Sequence, residues 1–348
     1  MPKKLLKPWA PKLEKLQNIT WIEKALYDLT KNNINMQEYF FMYYLQKLVL
    51  TNHFYPHVEA QLKGYTDHGP AHIIRMLKLY EKIFKNNIPV PTTEEIENDA
   101  QLNIYEIYVL LCATIWHDVG NLYGRNKHDK NIRKVVKIQK EQFFYDDELK
   151  EYILQIAEAH AVLDGVKLHI PDEITTYSGK QINLHFLGSV LKLADVMDDS
   201  ETRVDKIFYK TVKGNNKHIS KKQEIYWETS LRITRIEPKP DEFKIEVDIH
   251  IKKDELFIQY PKNRRKFALI DEILFKIDNI NEERKQYMKY VKKHIEFKKI
   301  FVNIIIKNHK HKVVQYVFDD KKGYFDFWKK WPSLNPSKKI RNYKLQKR

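Results

Sequence analysis

Long stretches in the first two thirds of the chain carry apolar residues at helical spacing or as continuous buried runs. Pro70 precedes one of these stretches, where its missing N–H is harmless to a helix, and the segment NNIPVPTTEE indicates a loop after it. The pattern predicts a mainly helical fold for the first 220 residues. The predicted helices cover residues 36–50, 71–84, 104–116, 147–161 and 184–197.

The pattern changes near Gln223. Segments EIYWETSLRITRIE (224–237) and EFKIEVDIHIK (242–252) alternate apolar and polar residues with period two, which predicts antiparallel strands joined by a turn at PKPD. A long helix is predicted from about Phe267 to Glu296, with further strands at FKKIFVNIIIK and KVVQYVF. The predicted fold is mainly α, with a smaller α+β C-terminal region. The predicted units are a helical domain (1–222), an α+β subdomain (223–318) and a basic aromatic tail (319–348).

Charge is distributed unevenly along the chain. Hydrophobic residues make up 43% of the 348 residues, enough for a globular protein, and the net charge is +16. Residues 297–348 hold fifteen Lys or Arg and three Asp, so +12 of that charge lies in the last 52 residues. This basic segment makes nucleic acid a candidate partner. Heavy use of Lys, Asn and Ile throughout offers a second explanation, a coding bias.

The tail itself mixes lysines with aromatic side chains. Such a mixture can stack single-stranded bases, which would make the tail a nucleic-acid site. The same aromatics can instead dock the tail on its own α+β domain. The residues concerned are Tyr324, Phe325, Phe327, Trp328, Trp331 and Tyr343.

Cysteine content and the N-terminus bear on the compartment. Cys112 is the one cysteine, which excludes an intramolecular disulfide and a thiolate zinc site, and its run YVLLCATIW predicts a buried, inert thiol. The opening residues MPKKLLKPWAPKL hold no continuous apolar stretch, so we expect neither a signal peptide nor a membrane span. A cytoplasmic protein is expected.

Candidate chemistry lies at the ends of the predicted helices. His117 and Asp118, in WHDVGN, follow an apolar helix that should deliver both to an interior cavity. His68 and His72 are four residues apart in YTDHGPAH and therefore share a helix face. Asp195 lies late in an apolar helix, where a bare carboxylate costs several kcal/mol, so it must be paired, protonated or bound to a cation.

With these residues in view, the chain resembles the HD superfamily of metal-dependent phosphohydrolases, whose pattern is H…HD…D. The likeness extends over residues 65–203 and is closest to a bacterial subgroup. The matching phrases are YTDHGPAH, HDVGNLYGRNKH and LADVMDD. The resemblance implies that the helical part is an HD-domain bundle that hydrolyses phosphate esters.

A ligand set follows from this resemblance. It implies one divalent ion, Mn, Fe, Mg or Zn, held by His72, His117, Asp118 and Asp195. Asp118 would bridge to a second ion if one binds, and His128 and His160 are the candidate ligands of that ion. His68 is a candidate ligand, proton donor or support for His72.

The expected mechanism uses a metal-activated water. Asp118 is predicted to accept the proton of the water, and His68 or His128 to protonate the leaving oxygen. Lys192, on the helix face of Asp195, is predicted to bind phosphate and assist catalysis. Arg125, Arg203 and Asn121 are the further substrate-binding candidates, although Arg203 could instead pair with Asp198 or Asp199.

The sequence is compatible with three functions. The first is a phosphomonoesterase or phosphodiesterase acting on a nucleotide or nucleotide signal. The second is a nuclease whose basic tail holds single-stranded nucleic acid, and the third is a regulatory module that binds nucleotide without turnover. The C-terminal α+β region is interpreted as support or as the surface of a homodimer.

Overall fold

The computed structural model describes nine stretches of the chain. Within them the chain is mostly helical through Arg232, and an α+β region follows. This confirms the predicted fold class. The described residues are 19–62, 64–84, 102–139, 144–161, 174–213, 219–262, 265–291, 295–307 and 312–331.

Ten α-helices among the described residues precede the main sheet. Five of them were predicted, at 36–50, 71–84, 104–116, 147–161 and 184–197. A π-helical stretch, Leu50–Phe54, joins the second helix to the third. The ten are α1 (Trp21–Thr30), α2 (Ile34–Val49), α3 (Tyr55–Gln61), α4 (Pro70–Phe84), α5 (Ile104–Trp116), α6 (His128–Ile138), α7 (Asp147–Ala159), α8 (Leu184–Met197), α9 (Lys206–Val212) and α10 (Lys221–Arg232).

Helix α5 is the centre of the helical part. Asn103 caps it by accepting hydrogen bonds from the backbone N–H groups of Tyr105 and Glu106, and the Glu106 carboxylate accepts from the Asn103 N–H. Every residue of the helix is buried, and it packs against α2, α7 and α8. A helix that is apolar all round must lie in a core, and its end therefore lies there too.

One predicted strand is wrong over most of its length. Residues 224–232 belong to α10, and the strand begins only at Ile233. Ser220 and Gln223 form a capping box, in which the Ser220 Oγ accepts from the Gln223 N–H and the Gln223 Oε1 accepts from the Ser220 N–H. Ile225 and Thr229, four residues apart, are buried on one face. The cap and this face outweigh the apparent alternation of the sequence.

The main sheet consists of Ile233–Lys239 (β3), Lys244–Lys252 (β4), Lys299–Lys307 (β7) and Lys312–Phe318 (β8), in that spatial order. Strands β4 and β7 pair in parallel, with Val247 opposite Val302, and the other two pairs are antiparallel. The predicted strand pair across PKPD and the two later strands are confirmed. Two small hairpins are also present, β1 (Thr175–Tyr177) with β2 (Lys180–Ile182) and β5 (Gln259–Lys262) with β6 (Arg265–Ala268).

Helix α11 (Leu269–Tyr290) forms the crossover between the parallel strands β4 and β7. It ends at Tyr290, before the predicted end at Glu296. One face packs on α8, so the apolar core continues from the helical part into the α+β part. The predicted domain boundaries at residues 222 and 318 stay predictions.

The first part of the tail is docked. Helix α12 (Tyr324–Lys330) buries Tyr324, Phe327 and Trp328, and the Tyr324 hydroxyl donates to the Asp271 carboxylate over 2.9 Å. These three rings are therefore unavailable for stacking on bases, which favours the docking hypothesis. Phe325 is exposed, Trp331 is partly buried, and Tyr343 lies outside the described residues. None of the described helices combines the length and apolarity needed to cross a membrane.

Candidate metal centre

Three helices bring the predicted ligands together. His117 ends α5 and Asp118 follows it, while His72 lies in the first turn of α4. Asp195 lies in the last turn of α8 with 23% of its side chain exposed, whereas the other three are buried. The buried helix α5 thus presents its terminal polar pair to the ends of two neighbours.

The first group of donor atoms surrounds His72. The Nε2 atom of His72 lies 3.3 Å from Nε2 of His117 and 3.3 Å from Oδ1 of Asp195. Oδ2 of Asp118 lies 3.5 Å from Nε2 of His117 and 4.0 Å from that of His72. Two imidazole nitrogens and two carboxylate oxygens therefore face a common point.

A second group uses the other oxygen of Asp118. The Nε2 atoms of His128 and His160 lie 3.0 Å apart, and each lies 3.7 Å from Oδ1 of Asp118. The Asp118 carboxylate stands between the two groups, with one oxygen turned to each. This is the geometry expected of a bridging ligand.

The hydrogen bonds of the four rings test whether these residues fit metal ions. Each ring uses Nδ1 to donate to a fixed acceptor, so in a neutral ring the lone pair is on Nε2. Facing lone pairs about 3 Å apart repel each other, and a cation between them turns that repulsion into coordination. The donor set therefore fits divalent ions. The Nδ1 distances are 2.7 Å from His72 to Asp198 Oδ2, 2.7 Å from His117 to Thr114 O, 3.1 Å from His128 to Arg125 O and 2.5 Å from His160 to Ala157 O.

The pKa values of the ligands show which of them must lose a proton when a cation binds. Burial alone would raise the pKa of Asp118, but neighbouring His117 and His68 hold it well below its usual value. Burial lowers the pKa of His128 to about 4, with a further contribution from His160, so the ring is neutral at pH 7. Burial also favours a low pKa for His72, but hydrogen bonds to Asp195 and Asp198 outweigh it and raise the value to about 9. An incoming cation must therefore displace a proton from His72.

Gly120, in the 3₁₀ turn Val119–Tyr123, allows the approach of His128. A Cβ atom at this position would lie 1.8 Å from the carbonyl oxygen of His128, so no side chain fits without moving that backbone. The glycine of the HDVGN phrase therefore lets α6 begin next to Asp118.

Asn121 and His68 both touch Asp118. The Asn121 Nδ2 donates to Asp118 Oδ1 over 2.7 Å and to the Asp118 carbonyl over 3.0 Å. Its contacts orient Asp118, and its predicted contact with substrate stays a prediction. His68 Nδ1 lies 3.0 Å from Asp118 Oδ2 and 3.0 Å from Arg203 Nη2. Burial and the charge of Arg203 lower the pKa of His68 to about 4.

A cleft of about 150 Å³ opens over the Asp118 side of the cluster. Arg125 stands at its rim with 44% of its side chain exposed, and its Nη1 lies 3.7 Å from Asp118 Oδ1. Arg203 is buried deeper, donates from Nε to the Asp67 carbonyl and lies 3.8 Å from Asp198. The lining residues are His68, Asp118, Arg125, Asp195, Val196, Asp199, Arg203, Ile233, Lys276, Asn279 and Ile280.

A family model named HD-CE matches residues 62–275. This range contains the whole metal cluster and every residue that lines the cleft except Lys276, Asn279 and Ile280. The chain belongs to the HD-CE family. Searches of curated proteins and of solved structures each found no match. The HD-CE domain here holds a buried His/Asp cluster able to bind a divalent metal.

Lys192 has a different surrounding from the one predicted. Its Nζ lies 3.0 Å from Oε1 of Glu283, in a buried ion pair between α8 and α11. It is not among the residues that line the cleft. Lys192 and Asp195 are three residues apart on α8, about 60° around the helix axis. Asp195 faces the metal cluster, whereas the Lys192 side chain reaches Glu283 of α11. The predicted catalytic and phosphate-binding roles of Lys192 are therefore not supported by its contacts.

Sequence reasoning missed the wall that α11 contributes to the HD-CE cleft. Lys276, Asn279 and Ile280 come from a helix that was interpreted as support or as a dimer surface. It also missed Asp198, which accepts from His72 and from Nε of Arg75 over 2.7 Å each. The phrase LADVMDD holds Asp198 three residues after Asp195, which was an available signal for a supporting carboxylate.

Proposed function

We propose that this HD-CE protein is a metal-dependent phosphohydrolase that cleaves a phosphate ester of a nucleotide or nucleotide signal. The observation that carries the proposal is the Asp118 carboxylate, whose two oxygens each face a group of histidine Nε2 atoms beside a cleft that Arg125 and Arg203 line. The nucleotide part of the proposal rests on the resemblance to the HD superfamily alone.

The donor set favours particular ions. Imidazole nitrogens suit Mn, Fe and Zn better than Mg, which prefers a shell of oxygens. We propose two ions, one held by His72, His117 and Asp195 and one by His128 and His160, with Asp118 shared. Bound there, such ions would activate a water molecule and withdraw charge from phosphoryl oxygens.

The chain's own side chains bind the ester and hold the metal ligands in place. Arg203 and Arg125 line the cleft beside Asp118 and place positive charge where phosphoryl oxygens would lie. His68 also lines the cleft in contact with Asp118, but its lowered pKa of about 4 leaves the ring neutral at pH 7, so it suits holding Asp118 better than protonating the leaving oxygen. His128, the other predicted proton donor, directs its Nε2 at His160 and is better suited to be a ligand.

The size of the cleft limits how a ligand binds. Pockets for small molecules usually measure about 300 to 1,000 Å³, whereas this cleft measures about 150 Å³. A phosphoryl group and the adjoining part of its ester would be enclosed, and the rest would lie at the rim.

The test uses the purified full chain. Elemental analysis gives the metal content, and hydrolysis is measured on p-nitrophenyl phosphate, bis(p-nitrophenyl) phosphate, a nucleotide panel and single-stranded oligonucleotides. We expect metal-dependent hydrolysis of small phosphate esters, and we expect His117→Ala and Asp118→Ala to lose about 1,000-fold or more, because the metal supplies several kcal/mol to the transition state.

His57→Ala is the matched control, since His57 is an exposed histidine on α3. It should retain wild-type activity. Nucleotide binding without turnover by the metal-loaded chain would replace the proposal with the regulatory module. Hydrolysis confined to oligonucleotides would replace it with the nuclease.

A further inference from the structure

We propose that helix α11 is the substrate-recognition wall of the cleft, with Lys276 binding a phosphoryl oxygen and Asn279 hydrogen-bonding the organic part of the ester. The inference rests on the proposed hydrolase function and deepens it. It assigns specificity to residues that lie beyond the end of the HD-CE match at residue 275.

The wall is a single helix face. Lys276, Asn279 and Ile280 all line the cleft, and their spacing of three and four residues places them side by side on α11. Glu283 continues the same face and is held by Lys192 of α8. The buried pair of Lys192 and Glu283 thus fixes the register of α11 against the helix that carries Asp195.

Lys276 is held in place at the cleft. Its Nζ lies 2.5 Å from Oδ2 of Asp199 and donates to the Ser230 Oγ over 3.2 Å, while Ser230 donates to Oδ1 of Asp199 over 2.7 Å. An ammonium group has three N–H donors, so these two partners leave one for a ligand. A cation already fixed by two partners loses little freedom when an anion binds.

Asn279 supplies a different kind of contact. Among the described residues its side-chain amide has no hydrogen-bond partner, although it is partly buried in the cleft wall. An amide offers both a donor and an acceptor, which suits a sugar hydroxyl or a base edge more than a phosphate. Lys276 and Asn279 would therefore bind two different parts of one substrate.

The experiment compares Lys276→Gln, Lys276→Arg and Asn279→Ala with Lys285→Gln as the control. Lys285 lies on the same helix, pairs with Glu282 over 2.6 Å and does not line the cleft. The full-length, metal-loaded protein is used throughout. The readouts are metal content, thermal stability, calorimetric binding of inorganic phosphate, and kcat and KM for p-nitrophenyl phosphate and for the best nucleotide.

We expect Lys276→Gln to weaken phosphate binding and to raise KM for both substrates about tenfold, with kcat within about threefold and the metal content unchanged. Lys276→Arg should keep values near those of the wild type. Asn279→Ala should raise KM for the nucleotide and leave phosphate binding unchanged. Lys285→Gln should change none of these.

Other outcomes separate the two proposals. If the wild type is active but Lys276→Gln lowers only the thermal stability, the residue merely joins α11 to α8 and the inference is wrong. If no ester is hydrolysed but phosphate binding still depends on Lys276, the hydrolase function fails and the phosphate site stands. If the metal-loaded wild type binds no phosphate and hydrolyses nothing, both fail.

Discussion

The support of His72 by Asp198 allows a prediction that needs no substrate. Asp198 accepts the Nδ1 hydrogen of His72 over 2.7 Å, and it also accepts from Nε and Nη2 of Arg75 over 2.7 and 2.9 Å. Asp198→Asn keeps the shape of the side chain but removes its charge and leaves one acceptor oxygen for both partners. We expect the His72 ring to be less well oriented and less basic in this variant.

The size of the effect follows from the role of such supports. Loss of a partner that holds a metal-binding histidine typically weakens metal affinity by about 10- to 100-fold, which corresponds to about 1.4 to 2.8 kcal/mol. His72 is fully buried, so bulk water cannot replace the lost acceptor. We therefore expect a loss within this range and an unchanged affinity at the second group of ligands.

The assay is competition between the protein and a chromophoric chelator for Mn or Zn. Asp205→Asn is the control, because Asp205 caps α9 by accepting from Ile207 and Phe208 over 2.9 Å each and does not line the cleft. Melting of the metal-free proteins reports any separate loss of fold. An affinity equal to that of the control would refute the assignment of His72 as a ligand held by Asp198.

Three further predictions test the second ion, the pH response and the docked tail. Gly120→Ala should displace His128, because its Cβ would lie 1.8 Å from the His128 carbonyl oxygen, and should lower the metal content from two ions to one; two ions in the variant would contradict this. Burial raises the pKa of Asp271 from 3.8 to about 6, so its contribution to stability is full below the lower value and is lost as the pH rises through the upper one. Between pH 4 and pH 8 the unfolding free energy of the wild type, measured by urea titration, should therefore fall by about 2 kcal/mol more than that of Asp271→Asn. Equal falls in the two proteins would show that the carboxyl is not buried. Phe327→Ala should cost about 3 to 5 kcal/mol of unfolding free energy, whereas Phe325→Ala, at an exposed position, should cost little; equal effects would mean that the tail helix is not docked.

Sequence alone was sufficient where one strong pattern fixed the local structure. Helix α5 is apolar throughout and has a cap at Asn103, so both its bounds and the position of His117 and Asp118 at its end could be predicted. Helix α8 is similar, which placed Asp195 near a helix end. Because these helices are buried, their polar ends had to meet other polar groups.

Prediction from the sequence failed where two patterns in the same segment indicated different structures. Residues 224–232 alternate like a strand, yet Ser220 and Gln223 form a capping box that starts a helix. That box was visible in the sequence and was the better signal. Lys276 gave no local signal of its role, because its position in the cleft depends on how α11 crosses α8.

The crossover between two parallel strands thus doubles as half of a binding surface. The metal ligands of the HD-CE match and the cleft residues opposite them lie in different parts of the chain, the ligands fixed by coordination and the α11 residues by the packing of that helix. Substitutions in α10, which packs against α11, would shift that helix and alter which ester is accepted while every metal ligand stays in place. Related chains could in this way diverge in substrate preference and keep the same chemistry.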